Sequence, residues 1–271
     1  LLASSAASDV YKRQMKLRNS VMNEDMISSA ELSRAACCNL GESFVTNPSV
    51  DVSYSDAATG AKQIKLLGLS GTYVQMLTEN IPNYRGAAAP YGLGYVPGPW
   101  MQSIQVSKGT SSVKNGYEAI TGQINVEFKK PQLPEADWVS ANLFASTTNR
   151  YEANADATLK LSKRWSTSLL AHYENETKAH DGNDDGFVDI PQVEQYNVWN
   201  RWAYMGDHYV FQAGIKALSE TRTSGQANHG GTMHSGDLYK VGIDTERYEF
   251  FTKNAYIFNL SLIHISEPTR R

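Results

Sequence analysis

"SIQVSKGTSSVKNGYEAITGQINVEFKKP" occupies residues 103–131. Two β-prone runs flank a stretch of Gly, Ser and Asn that favours turns, and Pro131 stops the second run. Beyond Pro131 the chain changes character. Val139, Ala141, Leu143 and Ala145 alternate with Ser140, Asn142 and Phe144. Ala153, Ala155, Ala157, Leu159 and Leu161 alternate with Asn154, Asp156, Thr158 and Lys160. The same period of two recurs from Trp165 to Glu174 and from Tyr209 to Ala217, which predicts strand after strand. The quoted stretch is therefore the junction between two kinds of chain.

Upstream, Ser28-Ser29-Ala30-Glu31 is a capping-box pattern. Leu32, Ala35, Ala36, Leu40 and Phe44 follow at helical spacing, which predicts a helix over residues 30–46, ended by Asn47-Pro48. Residues 50–54 alternate as a strand, and residues 63–69 and 73–77 are two more β-like runs. Residues 85–100 are rich in Gly, Pro, Ala and Tyr without periodicity, which predicts a long exposed loop of functional kind. Residues 15–131 thus read as an α+β unit with a mixed sheet, and residues 132–260 as antiparallel strands.

The 271 residues carry a net charge of −3, with no basic block to suit a nucleic acid. Mean hydropathy is −0.43, and no apolar run approaches the roughly 20 residues of a transmembrane helix. A membrane β-barrel stays open, because its strands are only half apolar. The adjacent Cys37 and Cys38 read as small buried residues rather than as a disulfide or metal site. Residues 1–14 and 261–271 resemble translated sequencing-adaptor read-through and are set aside from fold reasoning. No catalytic motif is present: no G-x-S-x-G, no phosphate loop and no H-E-x-x-H.

A soluble sandwich and a membrane barrel both bury one face of alternating strands. Three details favour the barrel. Trp138, Tyr151, Trp165, Tyr173, Trp199, Trp202 and Tyr209 gather near strand ends, as interfacial aromatics do. The strands exceed the usual length of about five or six residues. Tight links at residues 162–164 and 206–207 alternate with long ones at 178–193 and 223–246.

The order of helix, β-turn-β, the quoted junction and alternating strands resembles the TonB-dependent outer-membrane receptors. Their plug domain ends in a segment like I-E-V-x-R-G-P-x-S-x-x-Y-G-x-x-A-x-G-G-x-I-N-I-x-T-K. Ile104, Val106, Gly109, Ser112, Gly116, Ala119, Gly122, Ile124-Asn125-Val126 and Lys129-Lys130 match it. Ile64–Leu69 and Met76–Pro82 resemble the family's I-x-I-R-G and L-I-D-G-V-P, and the tone is similar to receptors of Bacteroidetes-type bacteria. The resemblance implies a plug over residues 15–131 and, over residues 132–260, about six of roughly 22 barrel strands. It also implies localisation in the cell outer membrane, contact with its lipid, and energy from the TonB-ExbB-ExbD complex, whose contact segment would precede Met15. The cargo would be a scarce solute, foremost a metal chelate (siderophore, haem, cobalamin or a copper-type complex), alternatively a glycan. A non-transporting surface β-sandwich that binds ligand is the rival class. In the family, plug cations pair with barrel glutamates to lock the plug. Here Leu67 replaces one such Arg, and Lys108 stands for the other, so Lys108 is the expected plug–barrel lock.

The chain needs no cofactor for such a role, but one loop could hold a structural ion. In "DGNDDGFVD", residues 181–189, Asp181, Asn183, Asp185, the Phe187 carbonyl and Asp189 stand at EF-hand positions 1, 3, 5, 7 and 9. Gln192 replaces the bidentate Glu, so the expectation is weak Ca²⁺ binding or, equally, a solvated acidic loop. His229, Met233 and His234 share a second loop; imidazole plus thioether suits a soft metal or solute contact, whereas loop histidines are ordinarily just exposed.

Overall fold

The structure, a computed structural model, describes residues 23–34, 38–44, 47–48, 50–56, 58–69, 71–110, 117–131, 139–227 and 238–257. Two sheets carry the architecture. The first has the order β1-β6-β7-β4-β5, built from β1 (Asn23–Ser28), β4 (Val74–Thr78), β5 (Ile81–Pro82), β6 (Met101–Lys108) and β7 (Gly122–Phe128). Its β4–β7 pair is parallel and the others antiparallel, so the sheet is mixed. The hairpin β2 (Val50–Asp56) and β3 (Ala61–Leu66) stands apart as its own two-stranded sheet.

The junction residues close this first sheet. Gly122 has φ +156°, and a Cβ there would lie 2.2 Å from the Ser107 carbonyl oxygen and 2.4 Å from a Leu66 methyl. Only glycine lets β7 approach β6 and β3 this closely. Ile104, Val106, Ile124 and Val126 are fully buried on it.

The expected helix over residues 30–46 is shorter: α1 spans Ser29–Arg34. Its capping box is present, with the Ser28 N–H donating to Glu31 Oε2 at 2.7 Å. Beyond residues 35–37 the backbone pairs with a distant segment instead of itself. Leu40 donates to the Val96 carbonyl at 3.0 Å, and Gly98 donates to the Cys38 carbonyl at 2.8 Å. Tertiary partners override the helical spacing of Leu40 and Phe44, both of which are buried. Cys38 is buried, at 5% exposed.

The loop at residues 85–100 departs from the expected exposed one. Leu93, Tyr95, Val96 and Trp100 are at most 4% exposed. Four large apolar side chains in a non-periodic stretch still drive burial, and the carbonyls this strands find donors on the second sheet.

That second sheet is an antiparallel meander, β13-β12-β11-β10-β9-β8. Its strands are β8 (Val139–Ala145), β9 (Tyr151–Lys160), β10 (Trp165–Glu176), β11 (Gln192–Met205), β12 (Tyr209–Gly225) and β13 (Lys240–Tyr256). One face packs on the first unit, burying Ser166, Ser168, Leu170, His172 and Glu174 of β10. The other face exposes Leu143, Leu159, Leu169, Val198, Ile215 and Phe250. On that outer face the aromatics form two rows. Trp165 lies beside Tyr204 and Phe211, with ring centroids 5.1 and 6.3 Å away. Tyr173 lies beside Tyr196 at 4.9 Å. Trp199, expected among them, belongs to the opposite face: its even spacing from Arg201 and Asn197 points it inward, where it is 4% exposed. Trp138 lies outside the described residues. No described helix is long and apolar enough to cross a membrane.

Candidate functional site

A cavity of about 230 Å³ opens where the first unit meets the wall of strands. The β2–β3 hairpin brings Tyr54 and Lys62 to it, the 85–100 segment brings Tyr91, and the wall brings Arg150, Glu174 and Arg222. Ile190 and Pro191, from the long β10–β11 connection, line it as well. Arg150 touches Glu42 at 2.7 Å, Glu152 at 2.6 Å and Glu174 at 3.0 Å, with only the Glu42 contact aligned as a hydrogen bond. Burial works to raise the Glu42 pKa, but the adjacent Arg150 guanidinium wins and holds it below the usual carboxylate value. Arg222 pairs with Glu220 at 3.1 Å and lies 5.4 Å over the Tyr91 ring. The Lys62 ammonium sits 5.5 Å over the Tyr54 ring, and burial lowers its pKa. The lining thus sets Lys62, Arg150 and Arg222 among Glu42, Glu174, Glu176 and Glu220, with the rings of Tyr54, Tyr91 and Phe144 beside them.

The wall also grips the first unit through main-chain carbonyls. Asn197 and Lys216 both donate to the Tyr95 carbonyl, at 3.0 and 3.1 Å. Gln195 donates to Gly94, Arg222 to Thr59, Arg201 to Lys129 and Lys253 to Glu79, over 2.6–3.3 Å. Lys216 is fully desolvated among Tyr84, Tyr95 and Trp100, within 6.0 Å of the Trp100 ring. Trp199 packs edge-on against Phe128 at 4.6 Å and joins Leu170 and Leu218 to the core of the first unit. The two sheets therefore share one apolar core, studded with donors from the wall.

Glu79 is the buried anion of this interface. It is 3% exposed; its Oε1 lies 2.5 Å from Arg201 and its Oε2 3.3 Å from Lys253. Burial alone would raise its pKa, but Arg201, then Lys130 and Lys253, bring it below the usual carboxylate value. Sequence reading missed Glu79, Arg201, Lys216 and Lys253. The usable signal was charge at alternate, inward positions of strands whose other face is apolar.

Lys108, the expected lock, makes its described ion pair inside the first unit, 2.7 Å from Asp25 of β1. The acidic loop folds on itself. Asp181 Oδ2 accepts the Gly186 N–H at 2.7 Å, Asp185 Oδ1 accepts that of Phe187 at 2.8 Å, and Asp189 Oδ2 accepts that of Gly182 at 2.6 Å. Asn183 donates its amide to Asp185 at 2.9 Å. Asp184 and Gly186 take left-handed φ of +58° and +82°. The loop then docks on the end of β12, with Val188 donating to the Gly225 carbonyl at 2.8 Å. Among the described residues, no three His, Cys, Asp or Glu side chains converge as a metal centre. His229, Met233 and His234 lie outside the described residues.

Residues 16–123 match the family model described as TonB-dependent Receptor Plug Domain. No curated protein matches the chain. Among solved structures, Pseudomonas aeruginosa FpvA in complex with a ferric heterologous pyoverdine is similar at TM-score 0.69 and 14% identity, over 90% of this chain and 33% of that one. The alcaligin outer-membrane receptor FauA from Bordetella pertussis is similar at 0.64 and 12%, over 89% and 37%. The siderophore receptor PiuA from Acinetobacter baumannii is similar at 0.61 and 14%, over 76% and 27%. The chain spans about a third of the length of these receptors. Residues 16–123 thus match the plug-domain model of TonB-dependent receptors, and the sheet that follows is similar in fold to the first barrel strands of the solved receptors.

Proposed function

We propose that the complete protein is a TonB-dependent outer-membrane receptor that takes up a metal chelate, with the plug of residues 15–131 seated against a barrel wall begun by residues 132–260. The observation that carries this reading is the cavity itself. It lies between plug turns and the ends of wall strands that carry the long connections, and it offers a ligand Lys62, Arg222 and the rings of Tyr54 and Tyr91 among the carboxylates of Glu42, Glu174, Glu176 and Glu220. Ferric chelates with carboxylate, catecholate or hydroxamate oxygens are anionic and often aromatic, which suits such a lining. The similar structures, one described as a siderophore receptor and one as FpvA bound to heterologous pyoverdines, support the same cargo. The work is binding and gated passage rather than bond chemistry. Energy comes from an inner-membrane TonB complex acting on the plug.

The test is uptake of radioactive iron by cells lacking their own receptors and carrying the complete gene, over a panel of ferric chelates. Uptake of at least one chelate that disappears when TonB is deleted supports the reading. Uptake of oligosaccharides alone would move the cargo to glycans.

A further inference from the structure

The resemblance places plug cations against barrel glutamates; among the described residues, the most buried pair has the reverse sense, a plug glutamate against wall cations. We propose that Glu79 is the latch of the plug: a positioning residue that ties the β4–β5 hairpin to two wall strands and must let go before the plug can move. The proposal rests on reading the chain as plug and wall of one receptor, and not on what that receptor carries.

Glu79 reaches β11 through Arg201 at 2.5 Å and β13 through Lys253 at 3.3 Å. Its own carbonyl accepts a second bond from Lys253, at 2.6 Å. β11 and β13 are not neighbours, since β12 lies between them, so this single residue spans three wall strands. Arg201 extends the tie. It donates to the Lys129 carbonyl at 2.8 Å, where the chain leaves the plug, and stacks over Trp199 at 4.5 Å. Glu42 and Arg150 repeat the polarity at the cavity, acid on the plug and base on the wall. The described pair of opposite sense, Lys129 with Asp156, is more exposed, with the Lys129 side chain at 37%.

The turn that carries Glu79 argues that its side chain is needed. Thr78 and Ile81 pair across a two-residue connection, and both connecting residues have positive φ, +49° for Glu79 and +65° for Asn80. Glycine, Asn or Asp sits in such a turn without strain, and glutamate does not. A residue that the backbone disfavours is held where only its carboxylate has a use. That carboxylate cannot leave Arg201 and Lys253 without stranding buried charge, which makes its release all-or-none. Among the described residues, the ion pair of Lys108 is with Asp25, inside the plug.

The experiment uses the complete receptor in a planar lipid bilayer. Urea-driven release of the plug is read as ion conductance, and barrel integrity as heat-modifiable migration on a gel. In Glu79→Gln, conductance opens at lower urea, and at fixed urea the opening rate rises on the order of tenfold or more, while the barrel migrates as wild type. Lys108→Ala opens like wild type. The swap Glu79→Arg with Arg201→Glu recovers part of what Glu79→Arg alone loses. Should Glu79→Gln not fold, Arg201→Gln is read in the same way from the wall side. The latch is overturned if these neutral variants, with folded barrels, open as wild type does, if Lys108→Ala opens as early as Glu79→Gln, or if the swap recovers nothing. A chain that never conducts, even in urea that unfolds the plug, overturns the receptor reading and the latch with it.

Discussion

Leu169 separates a membrane wall from a soluble sheet. It points outward from β10 and is 47% exposed in this chain. It lies midway between Trp165 in one aromatic row and Tyr173 in the other, about 13 Å along the strand from each. With the usual strand tilt, that puts it about 10 Å below either interface, near the middle of the apolar band. Leu169→Arg then costs about 2–4 kcal/mol, whereas Tyr173→Arg, at the row itself, costs about 0–1 kcal/mol. If the face met water, both changes would stay within about 0.5 kcal/mol, as exposed substitutions do. The assay is reversible unfolding of the complete receptor in lipid vesicles, titrated with guanidinium. A Leu169→Arg midpoint no lower than that of Tyr173→Arg would refute the reasoning.

Trp199→Ala removes the wall's largest contribution to the shared core, where Trp199 is 4% exposed. It should cost about 3–5 kcal/mol, read as protease cleavage of the plug in a barrel that still migrates as folded. The hold through Glu79 should depend on pH with a fixed sign. Its folded pKa is depressed by Arg201, Lys130 and Lys253 against the push of burial. Its contribution is therefore complete above the ordinary glutamate value of 4.5 and is lost as pH falls through the lower folded value. Plug proteolysis should be flat from neutral pH to about 5 and rise only in stronger acid. A rise between pH 7 and 6 would contradict that assignment.

Much of the fold could be read from the residues, because period two is a strong signal when it is sustained. Strands β8, β9, β10 and β12, the two tight links and the mixed plug sheet follow from alternation and turn chemistry, whereas the long connection expected at 223–246 is shorter because β12 runs on to Gly225 and β13 begins at Lys240. The failures have physical causes. Leu40 lies at helical spacing, yet the backbone at residues 38–40 is captured by residues 96–98, a pairing that no local pattern reveals. The Gly- and Pro-rich 85–100 segment looked like an exposed loop because its apolar residues have no period; the wall's donors to Gly94 and Tyr95 make its burial affordable. Trp199 was grouped with the outer aromatics by residue type, although its spacing from Arg201 already placed it inside. The cavity and Glu79 were the least legible. Both are made where two sheets meet, and their partners stand more than a hundred positions apart, as Glu79 does from Arg201 and Lys253.

The central claim is that the wall strands cross an outer membrane with their long connections outside. Cysteine labelling of intact cells that express the complete receptor tests it most directly, with single cysteines at position 184 in the acidic loop and position 163 in the β9–β10 turn. The account predicts that an impermeant thiol reagent labels Asp184→Cys in whole cells and reaches Lys163→Cys only after the outer membrane is opened. Labelling of Lys163→Cys in intact cells, with Asp184→Cys protected, would contradict it.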